Sequence, residues 1–267
     1  MIKTKFFSNF LIVGVMLFLY TPIAVVILMG FNHSRYNSLP FEFTTKWYQA
    51  LFHNHKLLEA TWNSIWIAGI TGLVCVILAT MMVLGMKSLG IKMRRKINGL
   101  LLMPLAIPWL ILGLSLLLMI RAVGMTKGIG FVLAGHIVVS LPYAALVLLA
   151  RMQGMDPALE EASASLGASP LTTFRRIIMP MLAPGMVAGG FLSFMISFDN
   201  FVISYFLMPA GMSSLPIEIQ ASIRFGFTPE INAVSTIIIC ISLICILAVG
   251  LIIGAAGMKD LFSKRGS

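Results

Sequence analysis

Six runs of mostly apolar residues, at about 9–31, 59–86, 98–121, 129–150, 181–207 and 231–257, constrain this chain more than any other feature. Crossing ~30 Å of hydrocarbon at ~1.5 Å of rise per residue takes about 20 residues, and each run is long enough. Runs of that length satisfy their backbone hydrogen bonds in lipid as helices. Composition agrees, with 59% hydrophobic and 10% charged residues, against about 25% charged in a soluble domain. The expectation is an all-α membrane protein, a single domain over 1–267 built as one six-helix bundle. A soluble fold, a disordered chain, collagen and a secreted disulfide scaffold are excluded.

Lys3 and Lys5 precede the first run, which is too long for a signal-peptide core and lacks a small-residue cleavage site, so it reads as a span. Cys75, Cys240 and Cys245 lie inside apolar runs and read as lipid-phase thiols rather than a disulfide or redox pair. The net charge of +10 could point to nucleic acid, but the basic residues flank apolar runs instead of sharing one polar face. No nucleic-acid partner is expected. The lipid bilayer is.

The basic residues also set the orientation. With the N-terminus in the cytoplasm, segments 1–8, 87–97, 151–180 and 258–267 face inward and hold 13 of the 19 Lys and Arg, leaving 6 outside. Lys87, Lys92, Arg94, Arg95 and Lys96 dominate the difference. Both termini are then cytoplasmic. In the outer segment 32–58, His53 and His55 lack companion ligands and read as a solvated loop, while Trp47 and Tyr48 suit an interfacial helix.

The most informative stretch is the inward-facing loop 151–180. Asp156 is a good N-cap with Pro157 at the first helical position, and Gly167 fits a helix C-terminus that needs positive φ. Ser169-Pro170 repeats the start signal, Arg175 and Arg176 suit the last turn of a second helix, and Pro180 ends or kinks it. Two short helices joined by a Gly turn therefore project from the bundle. Leu159, Ala162 and Leu166 share one face, with Glu160 and Glu161 beside it. Such a knob can seat in a groove of another protein or fold back on its own bundle.

Glu161-Ala162-Ser163, then Gly167, then Ile177-x-Met179-Pro180 resembles the Glu-Ala-Ala, Gly, Ile-x-Leu-Pro pattern of permeases from ATP-binding-cassette (ABC) importers, with Ser163 for Ala and Met179 for Leu. The resemblance extends along nearly the whole chain. Asn32, Ser34, Arg35, Phe43 to Tyr48, Ser193-Phe194, Ser197-x-Asp199, Leu215-Pro216, Arg224-x-Gly226 and Thr228 to Ala233 look like polyamine-type permeases, specifically second permease subunits of spermidine/putrescine importers. What this implies is a type I, MetI-like permease bundle with a cytoplasmic coupling helix at 157–167. Leu159, Glu160, Glu161, Ala162, Gly167 and Ala168 are the implied contacts to an ATPase. The implied partners are a second permease subunit in a heterodimer, two ATPase subunits and an extracytoplasmic solute-binding protein docking near Arg35, Lys46, Trp47 and Arg224. The implied location is the bacterial inner membrane. The implied cargo is a small amine-bearing solute, spermidine/putrescine-like, with opines or aminophosphonates as the alternative. No cofactor is expected on this chain; ATP and Mg belong to the ATPase.

Two departures remove negative charge from the implied path: Asn200 stands where relatives usually carry a second Asp, and Trp109 follows Pro108 where they often carry an Asp. Asp199 is the only carboxylate deep in an expected span, where a bare charge costs about 2.5–3.5 kcal/mol on insertion scales, so it is expected to face protein or a wet cavity. With Trp109, Ser197 and Asn200 it forms the expected translocation pathway. Trp109 can stack on a substrate cation or pack helices, and His136 reads as a hydrogen-bonded packing histidine. Pro104, Pro108, Pro142, Pro184 and Pro209 interrupt or border spans. No G-x-x-x-x-G-K-[ST] loop is present, so ATP hydrolysis is not expected here. An intramembrane enzyme would need convergent acid and base groups, and a channel a filter or ring of charge; neither pattern is visible.

Overall fold

The computed structural model describes residues 2–35, 38–225 and 229–263, with side chains described for all of these except 2–8, 225, 245, 246, 248, 249 and 252–263. In chain order the helices are α1 (Ile2–Gly30), α2 (Lys46–His53), α3 (His55–Gly85), α4 (Ile91–Ala106), α5 (Trp109–Ala122), α6 (Ile129–Gln153), α7 (Ala158–Ser165), α8 (Pro170–Thr173), α9 (Met179–Phe198), α10 (Phe201–Leu207), α11 (Leu215–Phe225) and α12 (Glu230–Ser263). An isolated antiparallel bridge, Asn32 with Phe43, is the only extended pairing among the described residues. Four helical stretches there are long and apolar enough to cross a membrane: Asn9–Gly30, His55–Ser88, Ile129–Gln153 and Pro170–Phe198. The backbone of α12 runs 34 residues.

Two expected spans are interrupted. The run 98–121 is not one straight helix: α4 and α5 meet at 99°. Pro108 bars the helical conformation at the residue before it, and Ile107 is extended at φ −91°, ψ 126°. The run 181–207 divides at Asp199-Asn200 into α9 and α10. Pro180 does not end a helix. A π-helical turn, Phe174–Ile178, holding Arg175 and Arg176, joins α8 to α9 just where proline removes an N–H from the ladder.

The chain divides into two compact units. The first comprises residues up to 58 together with 218–252. Asn32 organises its loop. The side-chain amide donates to the Ser38 carbonyl at 2.8 Å, its oxygen accepts from the Glu42 N–H at 3.1 Å, and its backbone carbonyl accepts from the Trp47 indole at 2.7 Å. Phe31 stacks on Phe43, with ring centroids 5.6 Å apart, and lies 4.8 Å from Tyr48. At Gly30 an added Cβ would stand 3.1 Å from both Thr236 Oγ1 and Tyr48 Oη, so glycine permits this close approach. Lys56 and Glu218 form an ion pair at 2.8 Å.

The second unit comprises 59–217 together with 253 onward. Its centre is the packing of α6 on α9 through small residues. A Cβ at Gly189 would come within 3.2 Å of the Ala144 carbonyl oxygen, so a larger residue would separate the backbones. One core cluster gathers Ile67, Leu112, Val132, Val139, Ile203 and Leu207; another gathers Cys75, Val83, Ala144, Leu148, Ile178 and Leu182. Cys75 is buried and Cys240 exposed, both as free thiols; the Cys245 side chain lies outside the described residues.

Candidate functional site: the α7–α8 knob and the α9–α10 break

The knob folds through the local signals its sequence carries. Asp156 Oδ1 accepts the Ala158 N–H at 3.0 Å and caps α7, which begins one residue later than the spacing implies. Gly167 has φ +77°, the left-handed value, and α7 closes with the Ala168 N–H donating to the Ser163 carbonyl at 3.1 Å. Ser169 Oγ then accepts the Thr172 N–H at 3.3 Å to start α8. Ser163, the departure from alanine, is buried, and its hydroxyl hydrogen-bonds Thr173 Oγ1 at 2.8 Å. The hydroxyl ties the knob's two helices together.

The knob does not bury its apolar face. Leu159, Ala162 and Leu166 are exposed, Leu166 at 88%, with Leu171 exposed beside them. Glu161 and Gly167 are also exposed, whereas Ala168 is half-buried. Glu160 turns inward and pairs with Lys87, just beyond α3. This carboxylate therefore anchors the knob to its own bundle, and Glu161 is the acid left outward. Exposed leucines rimmed by an acid form a surface that another protein can cover.

The expected pathway residues lie around the two helix breaks. Trp109 opens α5 immediately after the Pro108 bend and packs half-buried against the core that holds Leu112 and Ile203. Asp199 caps the C-terminus of α9 and is exposed in this single chain. Asn200, by contrast, is 1% exposed. Its Oδ1 accepts the Ile203 N–H at 2.9 Å as the N-cap of α10, and its amide nitrogen has no protein partner. Ser197 is buried and hydrogen-bonds His136 Nδ1 at 2.7 Å, while His136 Nε2 pairs with Ser204 Oγ at 3.1 Å. His136 on α6 thus bridges the break, holding α9 with one ring nitrogen and α10 with the other. It is the hydrogen-bonded packing histidine that sequence anticipates. Ser204, which completes the bridge, carries no local signal in the sequence.

The outer residues are placed differently from one another. Arg35 and Arg224 are exposed. Lys46 lies 4.4 Å from the Trp47 ring centroid, and the Trp47 indole is engaged with Asn32, so Trp47 supports the loop more than it faces outward. Gly226 and Thr228 lie outside the described residues. Among the described residues no group of three His, Cys, Asp or Glu could hold a metal ion.

Helices long and apolar enough to cross a membrane, with a two-helix knob whose apolar face is left exposed, define a membrane component built to dock a partner protein. The chain belongs to the family of binding-protein-dependent transport system inner membrane components, which it matches over residues 82–256. It is a multi-pass permease subunit of the ABC importer class, not an enzyme. It is 32% identical over 238 residues to the spermidine/putrescine transport system permease protein PotC of Haemophilus influenzae, covering 89% of this chain and 93% of that one. It is 33% identical over 231 residues to the putrescine transport system permease protein PotI of Escherichia coli, covering 83% and 82%. Among solved structures it resembles a bacterial ABC transporter involved in import of the acidic polysaccharide alginate, with TM-score 0.66 and 15% identity over 95% of this chain and 96% of that chain. It also resembles the inward-facing MetNI methionine ABC transporter, with TM-score 0.60 and 19% identity over 75% and 95%. At these identities the structures establish the fold, and the fold does not fix the cargo.

Proposed function

We propose that this chain is one half of a heterodimeric pore that imports a spermidine/putrescine-like polyamine, driven by a separate pair of ATPase subunits carrying ATP and Mg. The observation that carries the reading is the 32–33% identity, over most of both chains, to permeases named for spermidine and putrescine. The knob contacts the ATPase through Leu159, Glu161, Ala162 and the Gly167-Ala168 turn, with Glu160 positioning it through Lys87. Both termini and the knob face the cytoplasm, as the distribution of basic residues supports. A solute-binding protein docks outside, on a surface including Arg35 and Arg224, with Lys46 and Trp47 shaping the loop beneath. Asp199, Asn200, Ser197 and Trp109 surround the path where the helices break.

Glu161→Ala and Gly167→Pro test the coupling role. Each is expected to abolish ATP-driven uptake and reduce co-purification of the ATPase while leaving membrane insertion intact. Normal uptake and normal ATPase recovery in both variants would overturn it.

A further inference from the structure

Two adjoining recesses of about 250 and 260 Å³ run along the outside of the second unit between α4 and α6, sharing Asn98 and Gln153 in their walls. The knob does not line them, and the α9–α10 break is not among their walls. Polarity changes along their length: Lys87 and Arg94 stand at one end, Asn98 and Gln153 in the middle, and leucines such as Leu102 and Leu146 at the other. No acidic side chain lines either recess. Arg94 donates from Nε to the Leu89 carbonyl at 2.8 Å and from Nη2 to the Lys87 carbonyl, neutral acceptors that fix the guanidinium without cancelling its charge. Lys87 meets one Glu160 oxygen, and an ammonium has three donors. Asn98 Oδ1 is buried without a partner.

We infer that this groove is a binding site for an anionic, hydroxyl-bearing phospholipid, a phosphatidylglycerol. The phosphate sits against Arg94 and Lys87, a headgroup or glycerol hydroxyl donates to Asn98 Oδ1, and an acyl chain lies along the leucines of α4 and α6. The gradient from cation to amide to hydrocarbon matches an amphiphile, and basic pockets between membrane helices are suited to anionic headgroups. A soluble anion would leave the leucines exposed, whereas a purely apolar partner would bury Arg94, held only by neutral carbonyls, without a counter-charge. The site lies beside the Lys87–Glu160 pair that anchors the knob, so an occupied groove stiffens the base of the knob. This inference does not depend on which solute is carried.

The test is native mass spectrometry of the full-length chain released from nanodiscs of equal phosphatidylglycerol and phosphatidylcholine. Wild type is expected to retain phosphatidylglycerol with a preference of roughly five-fold, the scale of one uncompensated interfacial cation. Lys87→Gln with Arg94→Gln should bring the ratio close to one. Lys92→Gln with Lys96→Gln removes as much charge from α4 residues that do not line the groove, and should leave the preference intact. Leu146→Trp fills the apolar end at a partly lipid-exposed position and should reduce total retained lipid. Soluble glycerol phosphate should not compete. Equal retention of both lipids by wild type, or equal loss of preference in the two charge variants, overturns the site. So does loss of the bound lipid when the second permease subunit is present, because the groove would then be a subunit interface.

Discussion

Asn200 separates a structural requirement from an electrostatic one within a single side chain. Its oxygen caps α10, a task that Asn and Asp perform about equally well, and its nitrogen stands where an aspartate would place a second charged oxygen. An amide here therefore keeps the cap that forms the break while leaving the position uncharged. Asn200→Ala should lose about 1 kcal/mol of cap, while Asn200→Asp keeps the capping oxygen but places a carboxylate at a position 1% exposed and should cost more. Thermal unfolding midpoints of the purified protein check this; an Asn200→Ala midpoint equal to wild type would show that the cap contributes nothing. The residues at this break show what sequence can and cannot reveal. Asp199 stands out as the lone acid in an apolar run, and His136 as a histidine beside Gly135. The pairing of His136 with Ser197 and Ser204 spans 61 and 68 residues, and no local pattern encodes it.

At the scale of elements, local chemistry was legible where caps and turns carry it. Asp156, Gly167 and Ser169 mark the knob in sequence and perform the expected tasks in structure. The bend between α4 and α5 is not encoded in the hydropathy of 98–121, which counts apolar residues and is blind to direction, although Pro108 sits at it. The π turn at 174–178 has no sequence signature, since it redistributes backbone hydrogen bonds without requiring particular side chains. Gly167 provides the element-scale prediction. A Cβ there meets no atom within 4 Å, so the cost of Gly167→Ala is conformational, about 1–2 kcal/mol for holding an L-residue at φ +77°. Amide exchange over 158–168 should accelerate roughly five- to thirty-fold by that energy, with α6 and α9 unaffected. Unchanged exchange in the knob would show that the turn tolerates a side chain and that its glycine serves another purpose.

At the scale of the whole molecule, the apolar runs and the basic bias suffice to read a multi-pass membrane protein, whereas neither pattern encodes the cargo. Orientation is testable on this chain. Cysteines placed at the exposed Lys92 and Ala164 should react only with reagents that enter the cytoplasm, and one at exposed Ser38 should label from outside. External labelling at Ala164 would invert the bundle and detach the knob from any cytoplasmic ATPase.

We propose that this chain carries a polyamine under ATP power along a path that includes Asp199. The most direct measurement is uptake of radiolabelled putrescine and spermidine by proteoliposomes holding the complete importer, with solute-binding protein outside and ATP within, normalised to folded protein. The account predicts accumulation that requires both ATP and binding protein, and a strong reduction with Asp199→Asn, which keeps the side chain's size and removes its attraction for an ammonium group. A complex that hydrolyses ATP in response to its loaded binding protein yet accumulates neither polyamine would contradict the account.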